Sequence, residues 1–158
     1  MQKISPMLWF DGQAEEAASF YVSLFDDAAI TNVARYPEGA PGPAGGVMTV
    51  SFTLAGQEYT ALNGGPEFAF TEAISFVVRC KDQDEVDHFW DRLVEGGGEE
   101  SQCGWLKDRF GLSWQIVPDR LGELLGDPDP ARSQAAMQAM LQMSKIEITT
   151  LEDAADAA

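Results

Sequence analysis

The chain has 158 residues and a formal net charge of −16, from 26 acidic and 10 basic side chains. This charge argues against nucleic acids and anionic membranes as partners, because their phosphate groups would be repelled. No apolar run is long enough for a transmembrane helix, and the first ten residues lack the hydrophobic region of a signal peptide. We therefore expect a cytoplasmic protein that does not associate with membranes.

The first half of the chain predicts a strand, a helix and three further strands. The first strand covers residues 4–10, and the segment FYVSLF (20–25) supplies the apolar side chains of the helix that follows. Three strand-like segments come next, AAITNVARY, GVMTVSFTLA and QEYTALNG, and the last two meet in a tight hairpin turn at Gly56. Residues 37–46 are rich in glycine and proline, which predicts an exposed loop.

The second half repeats this order. Residues 74–80 are strand-like and begin with Ile-Ser, as residues 4–10 do, 70 residues earlier. The next helix carries the same apolar pattern in the segment FWDRLV (89–94), 69 residues after its counterpart. Further strands are predicted in EESQCGWLKD, which can be broken into two, and in LSWQIVP. The repeat predicts an α+β fold of two βαβββ modules.

A third segment follows the two modules. Residues 127–143 begin with prolines and acidic residues and predict a helix. Its methionine-rich apolar stripe predicts core packing or a dimer contact, with a lid over a ligand as the alternative. The stripe consists of Ala136, Met137, Met140, Leu141 and Ser144. The last eight residues, LEDAADAA, predict a frayed end. We therefore divide the chain into a first module (1–66), a second module (67–120) and a C-terminal helical extension with an acidic tail (121–158).

Few residues offer nucleophilic or metal-binding chemistry. Cys80 and Cys103 are predicted to be reduced, buried thiols, with a disulfide or a reactive thiol as the alternative. His88, the only histidine, lies off the apolar stripe of its helix among acidic residues, so we expect a solvated surface side chain. No arrangement of serine or cysteine with histidine is therefore predicted.

Four segments, together with the repeat, carry a resemblance to a known family. They are FYVSLF (20–25), ALNGGPEFAFTEAISFVV (61–78), CGWLKDRFGLSWQIVP (103–118) and DPDPARSQAAMQAML (127–141). In these segments the chain resembles the PhnB-like branch of the vicinal oxygen chelate superfamily, which includes glyoxalases, bleomycin-resistance proteins and extradiol dioxygenases. The resemblance implies a glyoxalase-like curved mixed sheet around a cup, and a homodimer.

The PhnB-like branch is often labelled as a 3-demethylubiquinone-9 3-methyltransferase domain. The sequence does not support that activity, because no glycine-rich loop follows a strand and could hold a methyl-donor nucleotide. The segment EGGGEE (95–100) follows a helix instead, and we expect it to end that helix and form a turn.

The resemblance also implies positions for metal ligands. In the metal-using members, each module supplies one ligand from its first strand and one from its last strand. These positions fall near Ser5 and Ser75, on Gln115, and near Ala61 or Asn63. Hydroxyl and neutral amide groups are poor ligands, because they bring no charge to offset dehydration of a divalent ion. We therefore expect no metal and no other cofactor.

Strand alternation predicts the lining of the cup. The lining combines aromatic, aliphatic and hydrogen-bonding side chains, which is typical of a small-molecule pocket. It comprises Ser5, Met7, Trp9, Ser75, Val77, Arg79, Ser113, Gln115 and Val117, with Asn63 and Trp105 at its edge. Arg79 could hold a carboxylate or phosphate, or pair with an acid near the strand end.

The favoured hypothesis is a metal-free protein that binds a small molecule, with a cationic or aromatic ligand favoured by the acidic composition. A second hypothesis is a metal-dependent lyase, isomerase or dioxygenase-type enzyme with an atypical site, so enzymatic activity stays open. A third is a structural or regulatory dimer whose cavity is filled by side chains. Bound metal separates the second hypothesis from the others, and an open cavity separates the first from the third.

Overall fold

The computed structural model describes residues 2–158. The chain forms two compact units, residues 1–69 and 70–158. Each unit contains a strand, a helix and three further strands, and the second unit also contains three C-terminal helices. The two predicted βαβββ modules and the α+β class are confirmed, and each module contributes its own four-stranded mixed sheet.

The first unit contains β1 (Met7–Phe10), α1 (Ala14–Leu24), β2 (Ala28–Arg35), β3 (Val47–Leu54) and β4 (Gln57–Asn63). Its strand order is β1-β4-β3-β2, with β1 and β4 parallel and the other pairs antiparallel. Ala55 and Gly56 connect β3 to β4 with φ angles of 48° and 86°. Two successive residues with positive φ are typical of a type I′ turn, so the predicted hairpin is confirmed.

The helix α1 covers one face of the first sheet. It buries small residues and two large ones, Tyr21 and Leu24, against the alternating side chains of β3, which include Val50 and Phe52. We call the opposite face of each sheet, turned away from the helix of its module, the distal face. In the first unit, Met7 and Trp9 of β1 lie on the distal face, because Leu8 and Phe10 alternate with them and are buried.

Asn63 lies on the helix side of the first sheet, which corrects its predicted place at the edge of the cup. It pairs with Phe10 across the parallel strands, and its Oδ1 accepts a hydrogen bond of 2.8 Å from the Ala14 N–H. Its Nδ2 donates to the Val47 carbonyl oxygen at 3.0 Å. Gln13 makes no capping bond through its side chain, so Asn63 satisfies the start of α1 from a distant strand.

The second unit begins with β5 (Ser75–Cys80), α2 (Gln83–Val94), β6 (Glu99–Glu100), β7 (Trp105–Lys107) and β8 (Ser113–Pro118). The strand order is β5-β8-β7-β6, with β5 and β8 parallel. The predicted break between two strands after α2 is confirmed by β6 and β7. The helix α2 buries the predicted stripe, including Phe89, Trp90 and Leu93, and leaves His88 exposed.

Three helices complete the second unit: α3 (Asp119–Leu125), α4 (Pro130–Met140) and α5 (Ile148–Asp156). They share a hydrophobic cluster of their own, which consists of Leu121, Leu124, Ala136, Met143, Ile146, Leu151 and Ala155. Of the stripe predicted on α4, Ala136 is buried, whereas Met137 and Leu141 are 40% and 49% exposed. None of the helices in residues 2–158 has the length and apolar character needed to cross a membrane.

The predicted frayed end is wrong. The acidic tail forms most of α5, and its Leu151 and Ala155 are completely buried. Arg132 holds the end of this helix, because its Nη1 donates to Asp156 Oδ1 at 2.9 Å and to the Ala155 carbonyl oxygen at 3.2 Å. The apolar residues lie four apart, so they share one helical face while the acidic side chains occupy the others.

The cap formed by Asn63 has a measurable consequence for stability. Replacing Asn63→Ala leaves the buried Ala14 N–H and the Val47 carbonyl without their side-chain partner, so the free energy of unfolding should fall by about 1–3 kcal/mol. The exposed Asn32 of β2 provides the matched control, since Asn32→Ala should change stability by no more than about 0.5 kcal/mol. Chemical denaturation of both variants measures the difference, and equal losses would contradict the capping role.

Candidate functional site

The buried carboxylate of Asp108 fixes the chain just before β8. Its Oδ1 accepts hydrogen bonds from the backbone N–H groups of Phe110 at 2.8 Å and Leu112 at 3.1 Å. Its Oδ2 accepts a bond of 2.9 Å from the indole Nε1 of Trp114. Trp114 is thereby held on the helix side, and the strand alternation places Gln115 on the distal face.

The distal face of the second sheet brings together seven of the residues predicted to line the cup. Across β5 and β8, Ser75 pairs with Ser113 and Val77 pairs with Gln115. On the other side of β8, Trp105 of β7 also pairs with Gln115. The seven residues are Ser75, Val77, Arg79, Trp105, Ser113, Gln115 and Val117.

The side chains of Gln115 and Ser75 form a direct hydrogen bond. The Nε2 of Gln115 donates to the Ser75 Oγ at 3.0 Å, so the two groups that the resemblance places at metal-ligand positions contact each other instead. Neither group carries a charge. Residues 2–158 also contain no group of three or more histidine, cysteine, aspartate or glutamate side chains that could hold a metal ion. These residues do not fit a divalent metal centre.

A concavity of about 460 Å³ lies on this face, between the strands and α3. Val77, Arg79, Gln115 and Val117 come from the strands, and α3 contributes residues that the sequence analysis missed. Those residues are Asp119, Gly122 and Glu123. The sequence pattern gave no signal for these three residues, because strand alternation describes only the sheet and not a helix packed beside it.

Arg79 takes part in none of the ion pairs formed within residues 2–158. The alternative that it pairs with an acid near the strand end is therefore not found. Glu123, on the neighbouring helix, is bound by Arg120 at 3.0 Å instead. The guanidinium of Arg79 is exposed at the edge of the concavity.

A second concavity, of about 270 Å³, lies beside β6 and β7. It is lined by Trp105, Ser113 and an ion pair between Lys107 and Glu72. The Lys107 ammonium lowers the pKa of the Glu72 carboxyl below its usual value. The Oγ of Ser113 is buried and has no hydrogen-bond partner among residues 2–158.

In the first unit, the predicted site residues do not form one cluster. Ser5 is exposed and precedes β1, while Met7 and Trp9 lie on its distal face. The Trp9 indole Nε1 donates to the Gly65 carbonyl oxygen at 2.9 Å, and its ring meets Phe68 edge to face. Trp9 is thus held by the loop after β4.

The first-unit counterpart of Gln115 also needs correction. Met7 precedes Val77 by 70 residues, and Met7 pairs with Thr60 just as Val77 pairs with Gln115. Thr60 therefore occupies the equivalent position. Ala61, which was predicted together with Asn63 as the alternative for this position, is fully buried on the helix side.

The first unit contains a cleft that the sequence analysis did not predict. The cleft measures about 560 Å³ and lies between α1 and the exposed loop of residues 37–46. The Tyr36 hydroxyl donates to the Asn63 carbonyl oxygen, and a β-carbon at Gly42 would lie 2.5 Å from the Tyr36 ring. Glycine at position 42 therefore lets the loop pack on the Tyr36 ring. The glycine and proline content of residues 37–46 predicted only that the loop is exposed.

In the part of the chain that the structure describes, the cysteine and histidine side chains do not assemble a site for nucleophilic chemistry. Cys80 and Cys103 are free thiols, as predicted, although Cys103 is only partly buried. Burial, together with nearby carboxylates, raises the pKa of the Cys80 thiol to about 12, so it stays protonated and unreactive near neutral pH. His88 lies against Phe89 on α2.

Comparison with known proteins identifies the family. A family model described as 3-demethylubiquinone-9 3-methyltransferase matches residues 2–117. The chain belongs to this family. The PhnB protein from Bacillus cereus is 38% identical, with a TM-score of 0.68 over 74% of this chain and 99% of that one. The predicted resemblance to the PhnB-like branch is therefore confirmed.

More distant structures share the fold. Protein PA1353 from Pseudomonas aeruginosa is 22% identical and has a TM-score of 0.57, over 75% of this chain and 100% of that one. The fosfomycin resistance protein FosX from Listeria monocytogenes, solved with Mn(II) and sulfate, is 15% identical. Its TM-score is 0.51, over 73% of this chain and 92% of that one. No curated protein matches the sequence.

The family's description names a methyltransferase, and the segment EGGGEE (95–100) is the glycine-rich stretch to compare with a loop that holds a methyl donor. Gly96 and Gly97 follow α2 with φ angles of 78° and 117°. Left-handed glycines directly after a helix end it, as predicted for the segment EGGGEE. Within residues 2–158 these glycines therefore form a helix stop and not a loop that opens a helix.

The carboxylate of Asp108 should be essential for stability. Asp108→Ala leaves three donors unpartnered, two of them backbone groups, so we expect the free energy of unfolding to fall by about 2–5 kcal/mol. Asp108→Asn keeps one acceptor oxygen and should lose less. The exposed Asp26 is the control, because Asp26→Ala should change stability by no more than about 0.5 kcal/mol. Urea denaturation measures all three, and a loss at Asp108 no larger than at Asp26 would contradict this account.

Proposed function

We propose that this PhnB-like protein binds a small molecule on the distal face of its second sheet without a metal ion. The observation that carries the proposal is the hydrogen bond between Gln115 and Ser75. Two neutral groups bonded to each other occupy the positions where the metal-using relatives are expected to have ligands. Binding there depends on hydrogen bonds, apolar contacts and the charge of Arg79 instead.

The size of the concavity supports a small-molecule ligand. Its volume of about 460 Å³ falls within the roughly 300–1,000 Å³ that is usual for ligand pockets. Two valines supply apolar surface, and Gln115 and Arg79 supply polar groups that can orient a ligand. Such a lining favours reversible binding, as a carrier or sequestering protein requires.

The first test of this proposal is the metal content. Protein purified without chelators should contain far less than one divalent ion per chain, because the donor set lacks charge. Elemental analysis makes the measurement. About one equivalent of zinc, nickel, manganese or iron, lost on chelation, would overturn the metal-free function and favour the metal-dependent enzyme.

Restoring ligands tests whether the metal position is present but vacated. The double variant Ser75→His with Gln115→Glu introduces an imidazole and a carboxylate at two hydrogen-bonded positions, and both are ligands for divalent transition metals. Its melting temperature should rise when nickel or zinc is added, since a ligand specific to the folded state stabilises it. Gln115→Glu alone should lower stability, because it places an unpaired carboxylate in a partly buried wall, and should not respond to metal. A double variant whose melt does not respond to metal would contradict a vacated metal position on this face.

A dimer is the second part of the proposal. Met137 on α4 and Leu141 at its C-cap are 40% and 49% exposed, and they lie four residues apart with Leu141 still in helical backbone conformation, so both lie on the same side. We propose that a second copy of the chain covers them, in an interface of at least about 1,200 Å² in total. This arrangement also keeps the structural or regulatory dimer as the alternative function.

Light scattering tests the dimer. The wild-type chain of 17.2 kDa should have twice its monomer mass at micromolar concentration. Met137→Lys with Leu141→Lys should produce monomers, because two buried ammonium groups oppose association. Gln138→Lys, at an exposed position of the same helix, should leave the mass unchanged. A wild-type monomer mass at high micromolar concentration would contradict the dimer.

A further inference from the structure

We infer that Arg79 selects, for the concavity on the distal face of the second sheet, a small ligand that carries one carboxylate on an apolar body. This inference rests on the proposed function and names the ligand class of the same site. It begins with the state of the arginine. In a chain with 26 acidic side chains, Arg79 forms no ion pair within residues 2–158.

Other arginines of the second unit are paired. Arg92 contacts Glu95, Arg120 contacts Glu123 and Glu152, and Arg132 contacts Asp127 and Asp156. Each of these lies on a helix or near a helix end, where acidic residues are three to five positions away or on a packed helix. Arg79 instead lies on a sheet face.

The neighbours of Arg79 in the sheet explain why it forms no ion pair within residues 2–158. Val117 is opposite it on β8, and Val77 and Gln115 lie two residues along the face. None of the three can form an ion pair. The planar guanidinium presents five donors in a fork that matches a carboxylate in two parallel hydrogen bonds. Its donors are therefore available to a ligand.

The rest of the concavity selects an apolar body. Val77 is 54% exposed, and Val117 is half-buried beside it. A carboxylate bound at Arg79 would direct the remainder of the ligand along these side chains. Their contact with an aliphatic or aromatic group would remove apolar surface from water.

The net charge of −16 does not exclude an anionic ligand here. Charges farther away than about 8 Å are largely screened at physiological ionic strength, so the nearest groups decide the local preference. The acidic residues that line the concavity are Asp119 and Glu123, and Glu123 shares the Arg120 guanidinium with Glu152. The local guanidinium thus opposes the cationic preference expected from composition, whereas an aromatic body is compatible with the site.

Three probes separate the parts of this inference: 4-phenylbutyrate, its neutral amide, and inorganic phosphate. With valine methyl groups labelled for NMR, 4-phenylbutyrate should shift the Val77 and Val117 signals saturably. The amide should bind at least about tenfold more weakly, since it cannot form the charge-assisted pair. Phosphate lacks the apolar body and should also be at least about tenfold weaker.

Matched variants test which positive charge the ligand carboxylate contacts. Arg79→Gln should weaken binding of 4-phenylbutyrate at least about tenfold and leave binding of the amide unchanged. Lys81→Gln removes the same charge two residues later, outside the lining of the concavity, and should have no such effect. Asp119→Asn should strengthen binding, because it removes the carboxylate that repels the ligand.

The outcomes distinguish this inference from the proposed function. Equal affinity for the acid and the amide, or unchanged binding in Arg79→Gln, would overturn the role of Arg79 and leave an uncharged small-molecule site. Phosphate binding as tightly as the acid would overturn the apolar requirement. If 4-phenylbutyrate causes no shift at millimolar concentration, the carboxylate class is wrong, whereas the metal-free function is judged separately by elemental analysis.

Discussion

The hydrogen bonds of the Asp108 carboxylate are the constraint on which the candidate site depends. A buried carboxylate is costly unless donors surround it, and here two backbone N–H groups and one indole supply them. Because Trp114 is one of these donors, its side chain is fixed on the helix side of the sheet. The faces of the remaining β8 residues then follow from strand alternation. A shift of one residue in β8 would bring Gln115 to the helix side and remove its amide from the lining of the concavity.

The sequence was sufficient for the modules but not for every face within them. The 70-residue repeat predicted the two βαβββ modules, and the alternation of β8 predicted the row from Ser113 to Val117, since burial on one face leaves a period of two. Asn63 was assigned to the wrong face because that assignment depends on where β4 begins after its turn. The acidic tail was misjudged from composition, although Leu151 and Ala155 already had helical spacing.

The two modules share a topology and differ in the chemistry of their distal faces. The first has Met7, Trp9 and Thr60 at positions where the second has Val77, Arg79 and Gln115. The Trp9 indole is bonded to its own loop, while Arg79 has no ion pair within residues 2–158. The two modules thus share buried faces that alternation and packing specify, and they differ at the distal positions. The 70-residue repeat aligns these positions in the sequence, whereas the bond between Trp9 and its own loop is visible only in the structure.

A single arginine and a metal centre are alternative means of holding an anion. A divalent ion needs several charged or imidazole ligands to offset the loss of its water, and Ser75 and Gln115 supply neither. A guanidinium needs no ligands to stay charged, because it remains protonated throughout the physiological pH range. A chain without carboxylates and histidines at these positions can thus bind an anion there where a fixed cation lies beside them. Arg79, which neighbours Val77 and Gln115 along the same face, satisfies that condition.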